Sequence, residues 1–176
     1  MKIKTSISFK EYAKLLFDLT YKRPMIRVIV GVALLMVAWI TGYYSGILPV
    51  PKPTYYQYIT LIIITVIQPL AIYSTIWKNY HSSSHLKESL EIEFTSKEIK
   101  IKGDSFYTEL TWAKMYKVVE LNRWFLIYQN NLSAVIVPKK SFHSVEEIEE
   151  FKRLLRSLHS IPLHLKSYAA TVALAT

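Results

Sequence analysis

Residues 55–77 read YYQYITLIIITVIQPLAIYSTIW. Three tyrosines open the stretch, Tyr73 and Trp77 close it, and no formal charge lies between. As a helix rising 1.5 Å per residue it covers about 35 Å, enough for a hydrocarbon core of roughly 30 Å. A second block, MIRVIVGVALLMVAWITGYY at Met25–Tyr44, has the same character. Its Arg27 lies near the first turn, where a long side chain reaches headgroups. Trp39, Tyr43 and Tyr44 gather at the other end, as interfacial aromatics do. Length, aromatic ends and near absence of charge predict a two-helix transmembrane hairpin over 25–77 rather than the buried hairpin of a soluble helical domain. Gln68-Pro69 interrupts the second helix, and Pro69 predicts a kink because it removes one backbone hydrogen bond.

The flanks predict orientation. Lys2, Lys4, Lys10, Lys14, Lys22, Arg23 and Arg27 precede or open the first span, Lys78 and Lys87 follow the second, and the connection carries only Lys52. By the positive-inside rule both termini are cytoplasmic and GILPVPKPT faces outward. This predicts a multi-pass membrane protein with its C-terminal domain on the cytoplasmic side. A cleaved signal peptide does not fit, because the apolar run starts only near residue 25. Residues 1–24 form an amphipathic N-terminal segment, with Phe9, Tyr12, Leu15, Leu16 and Leu19 on one face. It lies either on the inner membrane surface or against the C-terminal domain.

Composition narrows the chemistry. The 176 residues include no Cys, which excludes disulfides, thiol catalysis and Cys-based metal centres. The net charge is +9, from 22 Lys and Arg against 13 Asp and Glu. Nucleic acid is the usual partner of such a balance, but topology and anionic headgroups account for the same charges beside a membrane.

Past Ser82-Ser83-Ser84 the apolar period changes. SLEIEFT alternates, with Leu90, Ile92 and Phe94 on one side and Glu91 and Glu93 on the other. KEIKIKG, FYTELT, YKVVEL, RWFLIYQ and LSAVIVP follow, and turns at Gly103-Asp104, Leu121-Asn122 and Asn130-Asn131 suit an antiparallel meander of six strands. Pro138 ends the last strand. Ser144 then caps a helix, with Glu147 at capping-box spacing. Val145, Ile148, Phe151, Leu155 and Leu158 form its apolar face, and Glu146, Glu149, Lys152, Arg153 and Arg156 its solvent side. The expected fold class is thus an α+β membrane protein: two transmembrane helices, then a cytoplasmic sheet-plus-helix domain over 84–160. A tail over 161–176 is too short for a third span.

ELTWAKMYKVVELNRWFLIY and IVPKKSFHSVEEIEEFKRLL, following the two spans, resemble the YcxB-like family of bacterial membrane proteins. Trp112, Pro138, Lys139 and Phe142 carry that resemblance over roughly residues 20–160. It implies a membrane hairpin and a small cytoplasmic pleckstrin-homology-like domain, of whose usual seven strands six are countable, and it implies no activity.

No catalytic constellation emerges. His81 and His85 stand at i,i+4 but suit a polar juxtamembrane linker better than a metal pair. His143, His159 and His164 lack triad partners, and phosphate-loop and zinc-protease motifs are missing. We therefore expect no enzyme, no cofactor and no metal. Lys97, Lys100, Lys102, Lys114, Lys117, Arg123, Lys139 and Lys140, with Trp112, Tyr116 and Trp124, would make a basic and aromatic surface. Of these, Lys139, Lys140, Lys114, Lys117 and Arg123 are the candidate contacts to lipid or partner, with Lys139 and Lys140 at an exposed junction. Trp112 reads as a core anchor, and Phe142 as packing beneath the final helix. The expectation is a non-catalytic adaptor or regulator recognising a protein partner at the cytoplasmic face, an immunity protein included. Alternatives are an anionic-lipid sensor and a subunit of an oligomeric transporter, and a homo-oligomer fits each.

Overall fold

A computed structural model describes residues 1–158 and 161–165 of the chain. The expected tail beyond Leu165, and His159, lie outside the described residues. Two compact units result: Ser8–Ser83, and Met1–Ile7 together with the chain from Ser84 onward.

The helical unit begins with α1 (Phe9–Tyr21). Ser8 Oγ accepts from the Glu11 amide, and the Glu11 carboxylate accepts from the Ser8 amide at 3.1 Å, a reciprocal capping box. Next come α2 (Pro24–Tyr44), α3 (Tyr55–Ile62) and α4 (Gln68–Ser82). Helix α1 packs on α4, burying Tyr12, Leu15 and Ile76. Phe9 meets the rings of Tyr73 and Tyr80 at 5.9 and 5.4 Å.

Proline at the first position starts α2 without disturbing it, since that amide has no helical acceptor. Gly46, at φ 69°, ends the helix in the left-handed region where a Cβ is disfavoured. Trp39 Nε1 donates to the Pro51 carbonyl at 3.1 Å and the hydroxyls of Tyr44 and Tyr58 lie 3.0 Å apart, tying the connection and the two helices together. Helices α3 and α4 form one continuous 28-residue helix through a π-helical turn at Ile63–Ile67. Pro69 cannot donate, and just ahead of it the Gln68 amide reaches back five residues to Ile63. The departure expected at Pro69 thus takes the form of a π turn. Both Pro24–Tyr44 and Tyr55–Ser82 are long and apolar enough to cross a membrane.

Among the described residues the sheet unit has eight strands. Strands β1 (Lys2–Thr5), β2 (Leu90–Phe94), β3 (Glu98–Lys102) and β4 (Tyr107–Thr111) form one antiparallel sheet in that order. A single helical turn, α5 (Ser84–Lys87), precedes β2. The second sheet has the order β7 (Ala134–Pro138), β6 (Trp124–Tyr128), β5 (Lys117–Glu120), β8 (Leu163–His164). Helix α6 (Val145–Ser157) follows β7. Ile92, Phe94, Ile99, Val118, Phe125 and Val137 meet Phe151 and Leu155 of α6 in one core. The six strands and final helix read from the sequence are all present.

Two strands were not anticipated. The segment assigned as 1–24 divides, because Ile3 and Thr5 point inward while Lys2 and Lys4 point out, which is strand periodicity. Lys2 pairs with Glu93 and Thr5 with Leu90, so β1 lies beside β2 although the whole helical unit separates them in sequence. It supplies the seventh antiparallel strand. The short β8 adds parallel to β5, within the stretch assigned as tail.

Candidate functional site

The basic residues picked from the sequence divide into three groups. On the outer face of the first sheet, Lys4, Glu91 and Lys102 stand in register across β1, β2 and β3. So do Lys2, Glu93, Lys100 and Glu109 across β1 to β4. Opposite charges side by side make this face a balanced ladder rather than a basic patch. Lys2 Nζ lies 2.9 Å from the Glu91 carboxylate and Lys100 Nζ 3.1 Å from Glu98. Hydrogen bonding to Lys2 holds the Glu91 carboxyl below its ordinary range, and the same bond raises Lys2. Lys100 is raised by its bond to Glu98.

The second group lies where β5 begins. Lys114 ends a 3-10 turn and is exposed, followed by exposed Tyr116 and half-buried Lys117. Lys117 pairs with Tyr128 across the β5–β6 ladder. Its ammonium lies 5.1 Å from the Tyr128 ring centroid and 5.4 Å from that of Tyr116, within cation–π range. Trp112, at the head of the same turn, is fully in the core, its Nε1 donating to the Thr95 carbonyl at 2.8 Å. Its reading as an anchor holds.

The third group lies at the opposite end of the β5–β6 hairpin, about 10 Å away along the strand. Arg123 is exposed in the turn, and its carbonyl accepts from the Lys139 amide at 2.9 Å. Lys140 is exposed beside it. Lys139 departs from the exposed junction expected for it. Its side chain is only 10% exposed, with Nζ 2.5 Å from Glu120 Oε1 and 5.1 Å from the Phe125 ring centroid. The five candidates therefore share no single surface: Lys114 and Lys117 stand apart from Arg123 and Lys140, and Lys139 turns inward.

Behind Lys139 is an arrangement the sequence reading missed. Glu120 and Lys152 have fully buried side chains, with Lys152 Nζ 3.6 Å from Glu120 Oε2 and 2.7 Å from Glu149 Oε1. Two ammoniums and two carboxylates thus alternate in one cluster of zero net charge. Lys152 is not on the solvent side of α6, where its charge predicts it. It stands four residues after Ile148 and three before Leu155, which puts it on the buried face, and Glu120 makes that burial tolerable. Glu120 was legible in principle, because it is two residues from inward-facing Val118. The cluster joins β5, the turn after β7, and α6. It fixes the start of the helix and leaves Lys139 committed to an internal partner.

That start is further set by Ser144, whose Oγ accepts from the Glu147 amide at 3.3 Å. The Glu147 carboxylate reaches past the cap residue to the His143 amide at 2.8 Å, so the expected box is displaced by one residue. Phe142 packs edge-on to Phe125 and against Phe151, as expected for a residue beneath the helix. In the helical unit, His81 Nδ1 lies 2.9 Å from the Trp77 carbonyl and its ring lies over Trp77 at 4.4 Å. Among the described residues, no three His, Asp or Glu side chains gather as metal ligands would.

Residues 94–155 match the model of a family described as YcxB-like protein. The match runs from the last residue of β2 into α6, the stretch in which Trp112, Pro138, Lys139 and Phe142 reside. No curated protein and no solved structure matches the chain.

Proposed function

We propose that this YcxB-like chain is a membrane-anchored, non-catalytic adaptor or regulator whose sheet domain recognises a protein partner at the cytoplasmic face of a bacterial inner membrane. The observation that carries the reading is the pairing of β1 with β2 across the helical unit. The chain leaves the sheet after Thr5, runs through both apolar helices, and returns to pair at Leu90 beside Thr5. A folded sheet of this order needs both ends of the hairpin on one side of the membrane. Lysines and arginines crowd the segments on that side, while the 45–54 connection carries Lys52 alone, which supports reading that side as cytoplasmic. Anchoring raises the local concentration of the domain near membrane-bound targets and restricts its orientation. A target attacked by a membrane-active toxin would make the chain an immunity protein, one version of this reading.

The recognition surface best supported is the group formed by exposed Lys114 and Tyr116 and half-buried Lys117. The test is isolation of the full chain in mild detergent after cross-linking in cells, comparing wild type with Lys114→Glu/Lys117→Glu. A specific co-isolated protein that the double variant loses supports the reading. Repeated isolation with no specific partner contradicts it.

The cation–π seating of Lys117 on two tyrosines favours a second reading, contact with anionic headgroups. Native mass spectrometry of the full chain would then show retained anionic lipid, in preference to zwitterionic lipid, that the same variant loses. Equal retention of both lipid classes argues against it.

A further inference from the structure

The second apolar helix carries two carboxamides that its own unit does not satisfy. Gln68 stands at the midpoint of the 28-residue helix, and neither its side chain nor that of Asn79 makes a hydrogen bond among the described residues. The hydroxyls of Thr65 and Thr75 are occupied differently, donating back to the carbonyls of Leu61 and Ala71 at 2.7 and 2.9 Å. A carboxamide left unmet at mid-span is costly, because hydrocarbon offers it neither donor nor acceptor.

The positions form a pattern. Gln68, Ile72, Thr75 and Asn79 are spaced by four, three and four residues, which is the seam of a helix pair. At 100° per residue they stay within about 60° of one another around the helix. The face that packs on α1, marked by Tyr73, Ile76 and Tyr80, is about a third of a turn away. Thr75 and Asn79 are exposed, and Gln68 and Ile72 partly covered, so the helical unit leaves the seam incompletely covered.

We propose that a second copy of this chain covers it, giving a parallel pair through Gln68, Ile72, Thr75 and Asn79. A carboxamide carries both donor and acceptor, so two identical ones related by a two-fold axis satisfy each other. Copies inserted with the same topology run parallel, which sets Gln68 opposite Gln68 and Asn79 opposite Asn79. An interhelical polar contact of this kind fixes register within a membrane. The inference rests on the membrane reading above and adds the identity of one partner.

The chain has no cysteine, so single-cysteine variants report without background. Membranes holding full-length Ile72→Cys, Thr75→Cys, Leu70→Cys or Ser74→Cys are oxidised and run without reductant. Disulfide-linked dimer at 72 and 75, at least about threefold above that at 70 and 74, is the expected result. Adding Gln68→Leu to Thr75→Cys should lower the dimer about threefold, and Gln68→Asn should retain it. Equal yields at all four positions, or no dimer while the protein resists alkaline extraction, overturns the proposal. So does a band at 72 and 75 that contains a different protein. Release of the chain by alkaline extraction overturns the membrane reading itself, and the seam with it.

Discussion

The two units use similar side chains in opposite ways. In the sheet unit Phe125 and Ile92 are wholly enclosed, whereas Leu35 and Leu70 of the helical unit are 72% and 62% exposed. The sheet unit closes a core for water outside, and even its buried charges are matched within it. The helical unit leaves its apolar side chains outward and satisfies Thr41, Thr65 and Thr75 against its own backbone. That inversion suits a surrounding of hydrocarbon, in which every backbone polar group must be met inside the helix.

Breaking the internal charge matching should have the largest effect. Glu120→Ala strips Lys139 of its carboxylate and removes one of the carboxylates beside Lys152, and we expect a loss of about 3–5 kcal/mol. Chemical unfolding of the full chain in detergent, followed by tryptophan signal, measures it. A loss below about 1 kcal/mol would mean that the cluster is hydrated and that the sheet unit does not depend on it. The corresponding break in the helical unit is Leu35→Arg, at the middle of α2, expected to cost about 3 kcal/mol of insertion. The fraction resisting alkaline extraction should fall, while Leu→Met at the same position changes little.

Smaller changes sharpen the contrast. Ser144→Ala removes the cap of α6 and should cost about 1 kcal/mol, seen in the sheet unit's unfolding and not in membrane retention. The smallest effect concerns the Lys2–Glu91 pair, which joins β1 to β2. Its carboxyl is lowered by the hydrogen bond from Lys2, so its contribution is present above the ordinary carboxylate pKa and lost as pH falls through the lowered one. The difference in stability between wild type and Glu91→Gln should be constant near neutrality and shrink as pH falls below the ordinary carboxylate range. A difference that grows on acidification would contradict that sign.

Local signals carried much of this architecture. Apolar runs of 20 and 23 residues, strict alternation in LEIEF, and Ser144 before an amphipathic run are each local signals, and each is found where it was read. What escaped depends on distance. Strand β1 has four residues, two of them lysines, and its partner lies beyond both apolar helices. Only the completed sheet shows that Ile3 is inside. Lys152 escaped because charge outweighed helical position, and the carboxylate that explains its burial is on β5. The candidate surface was legible as residue types but not as a surface. Strand register pairs Lys100 and Lys102 with acids, and a turn folds Lys139 inward.

The account's central claim is that one sheet is closed by segments on both sides of a membrane hairpin. Labelling of single cysteines with a membrane-impermeant maleimide in cells with an opened outer envelope tests it most directly, using Lys52→Cys in the connection, Lys4→Cys in β1 and Asn131→Cys in the β6–β7 turn. The account predicts that Lys52→Cys is labelled in intact inner membranes, and that Lys4→Cys and Asn131→Cys are labelled together, only after permeabilisation. Labelling of Lys4→Cys and Asn131→Cys from opposite sides would contradict it.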